Sequence, residues 1–493
     1  MRILFSLALA FAPVFAYGQE YHGLDFLAED FKITAADGSD EHEFGHSVDI
    51  DDGLIVVGAP YDNDNGTNSG SVYLFDANTG LQLFKLLAED GVAGAEFGFS
   101  VAIKNGLVAV GAKGDSENGT NAGAAYLFDA STGSQLLKIL PTDGAPDDEF
   151  GNSIDIDDGI LVVGAWRADE FGDESGAAYL FDASTGDQMN KLLPGSGNNF
   201  QTYGVSVAID GGITAIGART FFVAGEGFTY ATAYVYEVSN GALVHELQPD
   251  ILNLNGDLGG FFADSMDISD GLIAIGAPMR SVVFDHSGAV YVFDVMSGEQ
   301  LHYLVPSDAR DRDNFGVSVA IDDSKLMIGA HQDDDNDFNS GSAYFYNAQT
   351  GEHLSKVIAS DGQELDLFGC SVALDADLAI IGSKNNDDNG SNSGAAYIYS
   401  GTTLGTTEFE SELVSIYPNP SSGLFIINFE SFKFDSIEIL IYNSIGQLLQ
   451  RIDKKLMDGD GLMTVDLSGF ESGVYLLNMQ LDNRSISKKL VVE

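Results

Sequence analysis

The chain has 493 residues with 75 acidic against 22 basic side chains, a net charge of −53, and 58 glycines. So large a deficit of positive charge excludes nucleic-acid binding, which needs clustered Lys and Arg, and it disfavours anionic membrane surfaces. It suits bound cations, or salty surroundings that screen self-repulsion.

Residues 1–18 read as a signal peptide. Arg2 supplies the short positive start, Ile3 to Ala16 the apolar stretch, and Val14-x-Ala16 or Ala16-x-Gly18 the small residues for cleavage. The apolar run is too short to predict a membrane span. No Cys follows the cleavage region, which argues against a lipid anchor. Cys370 is the sole cysteine, so no internal disulfide forms, and its apolar stretch Phe368-Gly-Cys-Ser-Val-Ala-Leu predicts a structural thiol.

Between residues 24 and 400 one unit recurs seven times. It opens on an aromatic-Gly-like pair at Phe44, Phe97, Phe150, Tyr203, Phe262, Phe315 and Phe368, at intervals of 53, 53, 53, 59, 53 and 53 residues. A serine follows three positions later in every unit, from Ser47 to Ser371, and a tyrosine recurs from Tyr73 to Tyr397. Each unit carries four short strand signals. In the first, His46 to Ile50 alternates, Asp52-Gly53 turns the chain into Leu54–Val57, a polar loop leads to Val72–Phe75, and a second turn leads to Leu81–Leu87. Four antiparallel strands repeated seven times predict an all-β, seven-bladed propeller.

The seventh unit loses its pattern after Tyr397-Ile-Tyr. Its missing fourth strand is at the N-terminus, where Phe31-Lys-Ile-Thr-Ala-Ala-Asp-Gly aligns with Phe84-Lys-Leu-Leu-Ala-Glu-Asp-Gly. Lys32, Lys85, Lys138, Lys191 and Lys356 then share one register on the outermost strand, where a lysine discourages edge-to-edge pairing.

The motif Phe44-Gly45 … Gly58-Ala59-Pro60, repeated as Phe262-Ala263 … Gly276-Ala277-Pro278, resembles the FG-GAP repeat of integrin α-subunit propellers. The resemblance implies the propeller fold, and beyond it recognition or adhesion. The calcium loop that integrin-like repeats often carry before Gly-Ala-Pro does not carry over. Ile50-Asp51-Asp52-Gly53-Leu54 is too short to wrap a cation.

Acid-rich loops do follow the Gly-Ala. Asp62, Asp64, Asn68, Asp115, Glu117, Asp333, Asp335, Asp337 and Asp388 are the candidate ligands for calcium, which takes hard oxygen donors. Asp, Asn and Gly also favour plain turns, and spacing alone leaves both readings open.

Strand parity puts the loops between strands 2 and 3, and those between blades, on one face of the disc. That face is expected to be acidic except in units 4 and 5, where Arg219, Phe221, Phe222, Phe228, Tyr230, Arg280, Phe284 and His286 stand. Arg and aromatic side chains suit sugar or protein recognition, and the same aromatics could equally cover one another as a local core.

After a linker at 401–413, residues 414–493 change character, with seven basic and ten acidic residues. Tyr417-Pro418-Asn419-Pro420, Ile439–Asn443, Gly446-Gln447, Leu467-Ser-Gly469, Gly473-Val474-Tyr475 and the final Lys488-Lys489-Leu490-Val-Val-Glu493 predict a small β-sandwich. Their order resembles the type A sorting domain of the type IX secretion system. That implies export from a Gram-negative bacterium to its outer surface or beyond, with the secretion machinery as partner.

No catalytic set emerges. The seven serines lack a repeated histidine, the histidines are scattered, and carboxylates are too abundant for one pair to stand out. The residues therefore favour a secreted or surface recognition protein that binds a glycan or protein. A polysaccharide-active enzyme on a propeller scaffold is the alternative, separable by a cleft with paired, perturbed carboxylates.

Overall fold

Seven four-stranded antiparallel sheets follow one another in the computed structural model, which describes residues 28–194, 201–219, 231–249, 260–282, 284–400, 414–417, 421, 423–429, 436–443, 448–455, 462–470, 473–481 and 484–492. The predicted leader and linker lie outside these residues. Two units divide near Thr402.

Strand β1 (Ala28–Ile33) comes first. Blade 1 is then β2 (Ser47–Asp51), β3 (Leu54–Ala59), β4 (Ser71–Asp76) and β5 (Leu81–Leu86), in that spatial order. Blades 2 to 6 repeat it as β6–β9 from Phe97 to Ile139, β10–β13 from Phe150 to Leu192, β14–β17 from Tyr203 to Leu247, β18–β21 from Met266 to Leu304, and β22–β25 from Ser318 to Val357. Blade 7 has β26 (Phe368–Asp375), β27 (Leu378–Ser383) and β28 (Ala395–Ser400). Its outer strand is β1, with Lys32 opposite Tyr397 and Ile33 opposite Ala396, so the N-terminal segment closes the ring as expected. Among the described residues no helix is long and apolar enough to cross a membrane.

The repeated motif builds the joint between blades. Each opening aromatic is buried and packs on its own blade's tyrosine, edge to face as in Phe44–Tyr73 at 5.4 Å and Phe97–Tyr126 at 5.4 Å, and tilted at 57° in Tyr203–Tyr234. The glycine after it holds a left-handed φ, 89° at Gly98, which turns its carbonyl toward the preceding blade. There the serine hydroxyl donates to it: Ser47 Oγ to Gly98 O at 3.0 Å, Ser100 to Gly151 at 2.9 Å, Ser371 to Gly45 at 2.8 Å. Ser318 instead accepts from the Val372 N–H at 2.9 Å. The glycine of Gly-Ala lies against the same carbonyl; a Cβ on Gly58 would stand 2.1 Å from Gly98 O. Small residues are therefore required where two blades touch.

In the second unit, β29 (Val414–Tyr417), β30 (Leu424–Phe429) and β33 (Leu462–Asp466) form one sheet. The other holds β32 (Leu448–Lys455), β31 (Ser436–Asn443), β34 (Gly473–Leu481) and β35 (Arg484–Val492). Phe425, Ile427 and Val465 from the first meet Ile439, Ile441 and Leu477 from the second in one core, as in a β-sandwich.

Candidate functional site on the loop-bearing face

Three sequence columns converge where the inner strands begin. The residue before each opening aromatic is left-handed in every blade: Glu43, Glu96, Glu149, Thr202, Phe261, Asn314 and Leu367 have φ between 46° and 61°. For bulky side chains this is an uncommon, mildly strained conformation. It is held by backbone bonds to the preceding blade, such as Glu96 N to Asn68 O at 3.1 Å and Glu149 N to Asn121 O at 3.0 Å. The second column is the residue directly after Gly-Ala (Gly-Ser in blade 7): Pro60, Lys113, Trp166, Arg219, Pro278, His331 and Lys384. The third follows the opening pair: His46, Phe99, Asn152, Val205, Asp264, Val317 and Cys370.

These columns make two clusters. Across blades 7, 1 and 2, His46 Nδ1 lies 3.0 Å from Glu43 Oε2, and Lys384 Nζ is 3.2 Å from the same oxygen. Lys113 stands 3.5 Å above the Phe99 ring and 3.3 Å from Glu96. Burial lifts the Glu43 carboxyl, but the His46 hydrogen bond and the Lys384 charge outweigh it and hold its pKa below the ordinary value. Burial lowers His46, and burial with the Lys384 charge pushes His331 down to about 4, so both rings are neutral at pH 7. Burial raises the Cys370 thiol, which leaves it a poor nucleophile, as its structural assignment requires.

Across blades 3, 4 and 5, the Trp166 indole N–H donates to Glu149 Oε2 at 2.9 Å. Arg167 donates to Glu149 Oε1 at 2.9 Å and twice to Glu174 Oε1, at 3.0 and 2.6 Å. Arg219 pairs with Asp264 at 2.6 Å and lies beside the Trp166 and Phe261 rings at 5.8 and 5.2 Å. Burial raises the Asp264 carboxyl even against that guanidinium.

Of the recognition candidates, Arg219 joins this cluster. Phe221, Phe222, Phe228 and Tyr230 lie outside the described residues. Arg280 is 2% exposed, in the register of Asp62, and its place is interior. Phe284 is exposed, and His286, with φ 52°, holds the turn that Asn68 holds in blade 1. Trp166, Lys113 and Lys384 were legible only as a column, read one position past each Gly-Ala or Gly-Ser, and Arg167 follows one residue further on.

The calcium candidates are divided by the fold. Asp62 and Asp64 meet Asp37, and Asp333 and Asp335 meet Asp308; each triple brings its carboxylates close enough to hold a metal ion. Asp115 and Glu117 meet Asp90, and Asp388 meets Asp361, around Lys138 and Lys32. Asn68 and Asp337 stay out of these groups and shape turns, with Asn68 N–H donating to Asn63 Oδ1 at 2.9 Å. The register lysines correct the edge-guard reading. They do stand on the outer strands, but their ammonium groups fold onto the acidic loops, and their side chains are only 16% exposed.

The channel holds a third feature. Asp49, Asp155 and Asp267, on the inner strands of blades 1, 3 and 5, face a polar cavity ringed by all seven blades. Each accepts an N–H from the next blade: Ile103 at 2.6 Å, Ile209 at 2.7 Å and Ile321 at 2.8 Å. Burial pushes Asp49 up to about 7, Asp155 up to about 6, and Asp267 well above its ordinary value. These carboxylates join blades, and a role in catalysis is not needed to explain them.

Comparison with known proteins fits this architecture. Residues 28–75, 81–128, 134–181, 299–346 and 352–399 match the FG-GAP repeat family, and residues 415–493 match the secretion system C-terminal sorting domain. The matched repeats leave out the stretch between 181 and 299, where the 59-residue unit lies. No curated protein matches. Among solved structures, a europium-containing methanol dehydrogenase matches at 9% identity and a TM-score of 0.40, over 76% of this chain and 93% of that one. At that level it carries nothing about activity.

Proposed function

The chain is a secreted FG-GAP-repeat β-propeller ending in a type IX secretion sorting domain, and from that premise we propose that it recognises a glycan or protein ligand at the cell surface. A leader at 1–18 starts its export, the tail engages the secretion machinery, and the loop-bearing face of the propeller does the binding. The observation that supports this most is the convergence of Lys113, Trp166, Arg167, Arg219 and Lys384 with Phe99 and Phe261 on one face, in a chain of net charge −53. Aromatic planes beside forked donors and carboxylates suit sugar rings and protein side chains alike. Each of Lys113, Arg167, Arg219 and Lys384 is matched by a carboxylate at 2.6 to 3.3 Å, so a neutral or mixed-charge ligand fits better than a polyanion.

The test is an array of glycans and surface proteins probed with the full chain, then with Trp166→Ala and Arg219→Ala. Removing an aromatic or arginine anchor costs about 2 kcal/mol or more at a binding centre, roughly a thirtyfold loss. Ligands held equally well by both variants would refute this face as the site.

A further inference from the structure

We propose that each outer-strand lysine is the resident cation of its blade, filling from within the chain a seat that a divalent metal would otherwise take. Lys85 Nζ lies 2.6, 3.2 and 2.7 Å from Asp37, Asp62 and Asp64. Lys138 repeats this at 2.5, 3.0 and 2.8 Å from Asp90, Asp115 and Glu117. Lys356 does so at 2.8, 2.9 and 2.5 Å from Asp308, Asp333 and Asp335. Lys191 pairs with Asp143 and Glu170, and Lys32 with Asp361 and Asp388.

The surroundings are built for a cation. The inner carboxylates Asp62, Asp115 and Asp333 are buried, and each accepts a tyrosine hydroxyl, as Asp333 does from Tyr344 at 2.9 Å. The backbone N–H two residues on fixes the other carboxylate oxygen, as Asp64 N does to Asp62 Oδ1 at 3.0 Å. In blade 1 the buried His42 adds a ligand-type nitrogen. Its Nδ1 has no hydrogen-bond partner and lies 3.3 Å from Asp62 Oδ2. Blade 5 reverses the polarity, with Arg280 in the register of Asp62 and Tyr303 in that of Lys85. In that blade the positive group comes from the loop, since the strand has none, while blade 4 has Glu246 at the lysine register and Phe221 at the Asp62 register.

A tethered ammonium has advantages over a free ion. Three charge-assisted bonds hold it in blades 1, 2 and 6 and two in blades 3 and 7, and no translational entropy is lost when it enters. Calcium takes six to eight oxygens at about 2.3–2.6 Å, and to enter it would have to expel the ammonium into a still acidic loop. The wild-type loops are therefore independent of calcium, and removing the lysine uncovers the metal site.

Calorimetric titration of the EDTA-treated full chain with CaCl2 and MgCl2 tests this. Wild type shows no saturable binding that Asp333→Asn with Asp335→Asn removes. Lys356→Met, neutral and of similar length, gains one calcium per chain with a Kd of about 0.1–1 mM, the range of extracellular calcium modules. Lys356→Arg, which keeps the charge, gains none. Wild-type binding lost in the Asp333/Asp335 variant would overturn the proposal. So would Lys356→Met that binds no more calcium than wild type, or that stays unfolded with and without it.

Discussion

Replacing Gly111 by alanine tests the joint between blades 2 and 3. A Cβ there would stand 2.0 Å from Gly151 O and 2.3 Å from Ser100 Oγ. Both lie more than an ångström inside ordinary contact, and the first is backbone, which no rotamer change relieves. The blades must separate, and Ser100 Oγ–Gly151 O, 2.9 Å in the wild type, must lengthen. Overpacking costs about 1–3 kcal/mol and the lost hydrogen bond about 1 kcal/mol, together about 2–4 kcal/mol. At roughly 2–4 °C per kcal/mol, the melting temperature should fall by about 4–16 °C. Calorimetry and guanidinium unfolding of the full chain would read the change. Ser100→Ala removes only the hydrogen bond and should cost about 1 kcal/mol. Ser100→Ala added to Gly111→Ala should not rescue it, because the backbone oxygen remains. Gly469, with open space around it and no left-handed φ, is the neutral control. A Gly111→Ala protein as stable as wild type would refute the close-contact account of the Gly-Ala motif.

Two further outcomes follow from the ring. Deleting residues 28–33 removes the outer strand of blade 7 and exposes the edge of β28, so the propeller should melt earlier and gain protease cleavage near Ser400; unchanged melting would mean the ring does not depend on this closure. For pH, the folded-state values of Asp49, about 7, and Asp155, about 6, lie above their unfolded value near 4. Between those limits the folded state binds more protons at these carboxylates, with Asp267 and Asp313 (about 6) raised as well. The imidazoles of His46, His331 and His353, lowered by burial, act in the opposite direction, and where the carboxylates outweigh them stability rises as pH falls from about 7 toward 4. Below pH 4 the sign reverses. Asp37, Asp90, Asp308 and Asp361, lifted by burial but lowered further by their lysine and tyrosine partners, lose their pairing as they protonate. Melting curves from pH 4.5 to 8 should show the first slope in wild type and a shallower one in Asp155→Asn; equal slopes would remove Asp155 as a source.

Much of the architecture was legible because repetition reports it many times over. Six aromatic-Gly pairs with Phe262-Ala263 as the seventh, and seven tyrosines, announced the blades, and the alignment of Phe31 with Phe84 announced the closure. The sorting domain was readable from the order of its motifs. The site was harder to read. Arg280 looked like an exposed recognition residue beside Met279, yet it is 2% exposed, because its register is that of the buried Asp62. Trp166 and Lys113 drew no attention within their own units. Only alignment past each Gly-Ala puts them with Arg219 and Lys384.

Sequence alone determined the blade count, the strand order within each blade, the seam at Phe31 and the secretion tail. These depend on local alternation and on spacing, which a chain carries in one dimension. Tertiary structure decided the partners. Lys85 was read as an edge guard, since nothing in Phe84-Lys85-Leu86 reveals that its ammonium reaches Asp37, 48 residues earlier, and Asp62, 23 residues earlier. The same holds for Asp49, which reaches the Ile103 N–H 54 residues on. Charges on neighbouring strands and blades find one another only when the ring is closed, because electrostatic pairing follows distance in space and burial, and neither is written in the order of residues.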